Sequence, residues 1–593
     1  MCHSDNLDIE ARSASQSSSE CSNMSAKILF TWMDHTLFFF MLSCSTLIGI
    51  YFACKKNKTK DEYLFGGKTM SIFPVATSLV ASNISGIILM AVPADVYQYG
   101  ASFIWSPIAI TITVVSFLYI YMPVLLKFEY NTIFEYLEVR FNRRLRLLAS
   151  AFFILQMLLN NPILIFIPTL AFAQVSGFPI HAISIIVCTV CIFYTTIGGL
   201  KAVVWTDTLQ TVSMYLSLIT VFGMGVFAVG GFTNLWNTAL QGERLDVLRF
   251  NIDMTDRNSF WSMVIGFTVV CINNIATHQA TIQRLIAVPT YSDATKVLWL
   301  FLIGIIVANT FATLTGILVY ARYAGCDPVT TKEVLRYDQI LPYFVLDVAG
   351  KIIGLPGLFI AGVFSAALSS LSTNLNTLAG VIYSDFLLLH LSKEFKEKHK
   401  NVILKVIVVV TGTICIGSVF VVEQLGGIIP LATCFLAITG GPLLGLFTLG
   451  ITVPKAHSKG ALIGGVTGVV FVSWMVIGNQ YYQHLGVIQD VPKPASTENC
   501  TFSTYNKTIV DEETSEFTEI PFILYRINFW YYAPLGCLST MVVGYLGSLI
   551  TSSDAKRIKP ELIAPWFRFL LVQKTSTIEE SIDPLQIPLN TLK

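Results

Sequence analysis

The stretch GLPGLFIAGVFSAALSSLSTNLNTLAGVIYSDF (354–386) carries a single charge, Asp385, near its end. As a helix it is long enough to cross a hydrocarbon core of about 30 Å. Comparable apolar runs recur along the whole chain, of which 54% of residues are hydrophobic and 13% charged. A soluble domain carries roughly a quarter of its residues as charges. The mean hydropathy of +0.65 points the same way. Uncharged runs predict an all-α polytopic membrane protein with about thirteen spans, at 34–54, 71–97, 104–126, 147–175, 179–197, 206–230, 259–279, 297–321, 356–388, 402–423, 427–451, 460–479 and 527–551.

Positive charges favour the cytoplasmic side. Alternate loops collect Lys55, Lys56, Lys58 and Lys60, then Arg140, Arg143, Arg144 and Arg146, then Lys393, Lys396, Lys398 and Lys400, and finally Lys556, Arg557 and Lys559. That side holds roughly 26 of the 38 Lys and Arg, which predicts an outside N-terminus and an inside C-terminus. The loop 480–526 is then extracellular. It contains two sequons, at Asn499 and Asn506, where glycans could be added. Cys326 and Cys500 also fall in outer loops and are a candidate disulfide, provided the fold brings them together. Residues 1–27 are Ser-rich and lack the basic start and apolar core of a signal peptide, so a disordered extracellular tail is expected. Residues 552–593 form the expected cytoplasmic tail.

The net charge of +1 leaves no basic footprint for nucleic acid. Most cysteines lie inside apolar runs, where a thiol acts as a small hydrophobe. No HExxH motif, pair of intramembrane aspartates or Ser/His dyad supports an enzyme.

Three spans carry more than packing requires. In 354–386 the polar side chains Ser365, Ser369, Ser370, Ser372, Thr373, Asn374 and Asn376 crowd the middle. Ser369, Thr373 and Asn376 share a helix face, with Ser370 one position away. Helix glue needs one or two hydroxyls, whereas this cluster suits a monovalent cation held by neutral oxygens. The second span, SIFPVATSLVASNISGIILMAVPADVYQYG (71–100), is small and polar at its centre. Such a sequence is either a kinked packing helix or a discontinuous one whose freed carbonyls can bind an ion. In 266–284, Asn273, Asn274, Thr277, His278 and Gln279 either face a wet cavity or mark the end of a span. Asp207 opens the sixth span as a helix cap or as an acid at the cytoplasmic mouth.

The motifs GGLKAVVWTDTLQ (198–210), ASNIS (81–85), TIQR (281–284), CDPVTTKEVLRYDQILPYFV (326–345) and GGPLLGLFTLG (440–450) join the quoted ninth span in resembling the sodium/solute symporter family. The similarity is strongest to its monocarboxylate, multivitamin and iodide transporter branch, and it extends over roughly 30–551, within an expected transmembrane symporter domain at 28–551. It implies a LeuT-like 5+5 inverted-repeat core, with repeats at about 71–230 and 259–451, each opening with a broken helix. It further implies a sodium site made by Ala81, Ile84, Ala366, Ser369 and Ser370, with Asp207 as the sodium-exit acid. Ser372, Thr373 and Asn376 correspond to positions near additional ion contacts, so a second sodium is a further implication. The family's solute-contacting positions fall on Ile88, Asn160, Cys271 and Thr433. The iodide relative has Gln, Tyr, Trp and Phe there, so this chain differs at all four. Asn160, Asn161, Asn273 and Asn274 supply amides, and no Lys or Arg is expected mid-span. The expected function is sodium-coupled symport of a small organic solute, a monocarboxylate or vitamin-type carboxylate, at the plasma membrane. A solute sensor without coupled transport and a facilitator for a neutral solute are the alternatives.

Overall fold

The computed structural model describes residues 30–54, 68–127, 132–257, 259–350, 352–389, 392–424, 428–498, 500, 521–551 and 558–571. The tail 1–27 and both sequon asparagines lie outside the described residues. Among the described residues, eleven helices are long and apolar enough to cross a membrane, and one bent pair makes twelve. We label them α1 (Trp32–Phe52), the pair α2 (Ile72–Asn83) and α3 (Ile87–Tyr99), α4 (Ser102–Leu125), α5 (Arg143–Ser176), α6 (Ile180–Ile197) and α7 (Gly199–Val229). The expected seventh span is two short helices, α8 (Ser262–Ala276) and α9 (Gln279–Ile286). There follow α10 (Tyr291–Tyr323), α11 (Leu355–Phe386), α12 (His399–Val422), α13 (Ile428–Thr452), α14 (Ser458–His484) and α15 (Phe529–Ile550).

Helix α11 is the axis of the bundle. It packs against α1, α2, α5, α7 and α12, and nearly its whole length is buried. This is why the quoted stretch can be polar at its centre without facing lipid. The first break lies at 84–86, where α2 and α3 meet at 58°. Ile84 is extended there (φ −84°, ψ 92°), while Ser82 Oγ and Asn83 Nδ2 donate to the carbonyls of Ser78 and Leu79 in their own helix. Short polar side chains that compete for backbone partners in this way are what weaken a helix. The second break lies at Thr277–His278, where His278 has ψ 113°. Thus the 266–284 polar run is an interruption and not the end of a span. The two breaks stand five spans apart, at the starts of the two expected repeats.

Span six corrects the sequence reading. It starts at Gly199 and not near residue 206, so Asp207 lies about two turns inside it and is fully buried. It is neither a cap nor a residue of an open mouth. Gly199 makes the α6–α7 corner with φ 65° and ψ −170°, a region essentially closed to residues with a Cβ. Gly199→Ala is therefore expected to destabilise the fold by about 1–3 kcal/mol, measurable as a lower thermal midpoint of the purified protein.

Helices α14 and α15 meet through small residues. Gly460, Gly464 and Gly468 on α14 face Thr540, Gly544 and Ser548 on α15, and a Cβ on Gly464 would come within 2.5 Å of the Thr540 carbonyl. This is the close approach that small residues allow between membrane helices. The loop 480–526 is tied down where it is described. Lys493 N donates to Gln98 O (2.8 Å), Asp327 N donates to Ser496 O (3.0 Å), and Cys326 and Cys500 form a disulfide. At the other end of the chain, part of 552–593 packs back on the bundle, with Ala564 N donating to Ile451 O at 3.1 Å.

Candidate ion and solute site

The hydroxyl face of α11 looks onto the first break. Ser370 Oγ lies 3.1 Å from the Ser82 carbonyl and 3.1 Å from the Ala366 carbonyl of its own helix. Ser369 Oγ donates to Asp207 Oδ1 at 2.6 Å. That bond orients the hydroxyl: with its proton on the carboxylate, both Ser369 lone pairs are left for a cation. Asp207 Oδ2 accepts from Ser78 Oγ of α2 at 2.6 Å. Thr77 and Thr208 hydroxyls, 3.0 Å apart, join the same two helices at the adjacent positions. The carboxylate therefore bridges the broken helix to α7 and α11.

Its counter-ion is Arg284, which the sequence reading left outside the spans. The guanidinium is 1% exposed, and Nη2 lies 2.9 Å from Asp207 Oδ2. It also donates to Ser82 Oγ (2.8 Å) and Thr373 Oγ1 (2.5 Å), while Nε donates to Ser78 Oγ (2.7 Å). A buried charge pair of this kind persists only when its remaining donors are satisfied, as they are here. A buried cation at this site was not expected from the sequence. The signal was the Arg of TIQR, five residues after Gln279, where it resembled an ordinary loop charge.

Above this cluster lies a cavity of about 190 Å³. Ile88, Asn160, Cys271, Asn274 and Thr433 line it, as do Ser370, Thr373 and Arg284 at its polar end. Phe103, Phe267 and Trp530 line the other end, their ring centres 5.3–6.0 Å apart in edge-to-face pairs. Two expected lining residues are absent from the wall. Asn161 is fully buried with Oδ1 accepting from Asn374 Nδ2 (2.7 Å), and Asn273 Oδ1 accepts from Thr277 Oγ1 (2.8 Å) against Gly440. Asn161 ties α5 to α11, whereas Asn273 bonds within its own segment and packs against α13. His278, at the second break, lines the cavity in their place, its ring 5.4 Å from that of Phe153. Of the possible second ion set, Ser372 Oγ donates to the Ser369 carbonyl (3.1 Å), Thr373 accepts from Arg284, and Asn376 is buried on α11.

At the aromatic end, Arg257 pairs with both Asp95 of α3 and Asp490 of the 480–526 loop, and its guanidinium lies 5.0 Å from the centre of the Phe529 ring. The second half of the broken helix, α3, is therefore held by one side chain that also touches the residue beside Trp530.

The pattern of the Sodium:solute symporter family matches residues 63–468. The chain belongs to that family. It is 35% identical over 548 residues to the sodium-coupled monocarboxylate transporter 1 of Xenopus laevis, covering 90% of this chain and 88% of that one. It is equally similar, at 35%, to the human sodium-coupled monocarboxylate transporter 2, covering 91% and 88%. Among solved structures, a sodium-coupled sialic acid symporter in a substrate-bound outward-open state superposes with a TM-score of 0.72 at 24% identity, over 89% of this chain and all of that one. That likeness fixes the fold, with two broken helices around a central cavity. This family member is a sodium-coupled solute symporter and a transporter, not an enzyme.

Proposed function

We propose that this symporter couples sodium entry to the uptake of small monocarboxylates, including vitamin-type carboxylates, by alternating access across the plasma membrane. The observation that carries the reading is the cavity's polarity. One end gathers Arg284, Ser82, Ser370 and Thr373, and the other the Phe103–Phe267–Trp530 triad. A carboxylate head suits the first end and a short apolar tail the second. Sodium binds between the α2 break and α11, held by the carbonyls of Ala81, Ile84 and Ala366 and the hydroxyls of Ser369 and Ser370. An ion there adds positive charge beside the carboxylate, so solute and sodium stabilise one another. Asp207, freed from Ser369 as the site opens inward, draws the ion towards the cytoplasm. The N-terminus is outside, which puts the aromatic triad, the disulfide and the 480–526 loop on the extracellular face.

The ion count has an electrical signature. One charge crossing 100 mV is worth about 2.3 kcal/mol, and a tenfold sodium gradient adds about 1.4. One sodium with a monoanion moves no net charge and concentrates it about tenfold; two sodiums supply about 5.1 kcal/mol and carry a current. A second sodium at Ser372, Thr373 and Asn376 would share Thr373 Oγ1 with the Arg284 guanidinium, which favours one sodium per cycle. Lactate, pyruvate, butyrate, biotin and pantothenate offered as tracers test the reading. Sodium-dependent uptake of at least one, with no accompanying current, is expected. Sodium-independent uptake of all would contradict it.

Topology has a separate check. Peptide N-glycosidase treatment of the protein from a glycosylating host is expected to raise its mobility, and the shift should vanish in an Asn499→Gln/Asn506→Gln double variant.

A further inference from the structure

Asn309, an amide on the cavity wall, is used by nothing described so far, and Asn160 lines the same cavity. Asn309 sits half-way along α10, on the helix face it shares with Phe301 and Ile305, and all three line the cavity. It is 1% exposed. Its Nδ2 donates to the Ile305 carbonyl of its own helix at 3.0 Å, which fixes which end of the amide is engaged. The free end is Oδ1, which has no hydrogen-bond partner among the described residues. Asn160 sits half-way along α5 between the cavity residues Met157 and Leu164, and is 9% exposed. Its Oδ1 is likewise without a partner among the described residues. Ser370 is also half-way along its helix, so both amides lie near the depth of the ion site.

A buried acceptor left unpaired is costly, and native structures keep few of them. Packing alone does not call for an amide at 309, because the cavity-lining residues beside it on α10, Phe301 and Ile305, are apolar. Two orphaned acceptors in one cavity point to a ligand that brings the donors with it.

We propose that Asn309, together with Asn160, reads a hydrogen-bond donor on the solute. The favoured class is a small solute with a hydroxyl or N–H on its carbon skeleton, separate from the head group held at the Arg284 end. A keto group or bare methylene offers these oxygens nothing and leaves them dry. The inference rests on the central cavity being the solute site, but not on the head group being a carboxylate.

Matched pairs test it: lactate against propionate, and the neutral lactamide against propionamide. Full-length protein in proteoliposomes is assayed for kcat/KM under a sodium gradient. The expected wild-type preference for the hydroxylated member is about tenfold or more. Asn309→Leu should bring the ratio close to one while leaving propionate and propionamide uptake intact, which also reports that the variant is folded. Should Asn309→Leu take up nothing, Asn160→Leu gives the second readout and is expected to lower the ratio. A wild-type ratio near one in both pairs, or a ratio unchanged in the variant that transports, would overturn the inference and favour water as the donor. A preference in the amide pair without sodium-driven uptake of either acid would keep the inference and instead remove the carboxylate reading.

Discussion

Alanine at both Ser369 and Ser370 is expected to weaken sodium activation of uptake by roughly 10²–10⁴-fold, since hydroxyl contacts to a charge are worth about 1.5–3 kcal/mol each. Ser369 does more than meet the ion. Its hydroxyl is the hydrogen bond to Asp207 Oδ1, so its loss also disturbs the Asp207–Arg284 pair. Ser370 donates only to the backbone of Ser82 and Ala366 and has no part in that pair. Ser370→Ala alone is therefore the cleaner test of ion binding. It should raise the sodium concentration for half-maximal uptake by about 10–100-fold with normal surface expression. Unchanged sodium dependence in the double variant would remove the assignment of both residues.

The second large effect concerns Arg284. Replacing it with Gln leaves Asp207 as an uncompensated charge in the middle of the bundle, a change that costs about 3–5 kcal/mol when one partner of a buried pair is removed. Arg284→Gln is expected to lose most surface expression and to unfold at markedly lower temperature. Asp207→Asn in the same chain should restore much of the stability, because the amide carries no charge and can accept from one of Ser369 and Ser78 while donating to the other. The double variant should nevertheless transport poorly, since it lacks both the ion's attractor and the solute's cation. Equal loss of stability in single and double variants would show that the charges are not coupled.

The fold was largely legible in the sequence, because span length is a property of segments. The broken second span could be read from ASNIS and Pro93, since small polar residues are poor helix formers wherever they occur. Asp207 and Arg284 were harder. Their pairing joins α7 to α9 across the bundle, and a lone Asp near Gly199 or a lone Arg after a polar run looks like a loop residue in one dimension. Asn161 and Asn273 failed in the opposite way. Each neighbours a true lining residue, Asn160 or Asn274, and the 100° step between adjacent helix positions sends one amide to the cavity and the other to a helix contact. Asn309 was invisible, because a single amide in an apolar helix has no pattern around it.

Sodium coupling at the α2 break is tested most directly by tracer accumulation in proteoliposomes with an imposed inward sodium gradient. The expected result is a transient overshoot of a monocarboxylate above its equilibrium level, abolished when sodium is equal on both sides and lost in Ser370→Ala at low sodium. Uptake that reaches the same level whether or not the sodium gradient is present would contradict it.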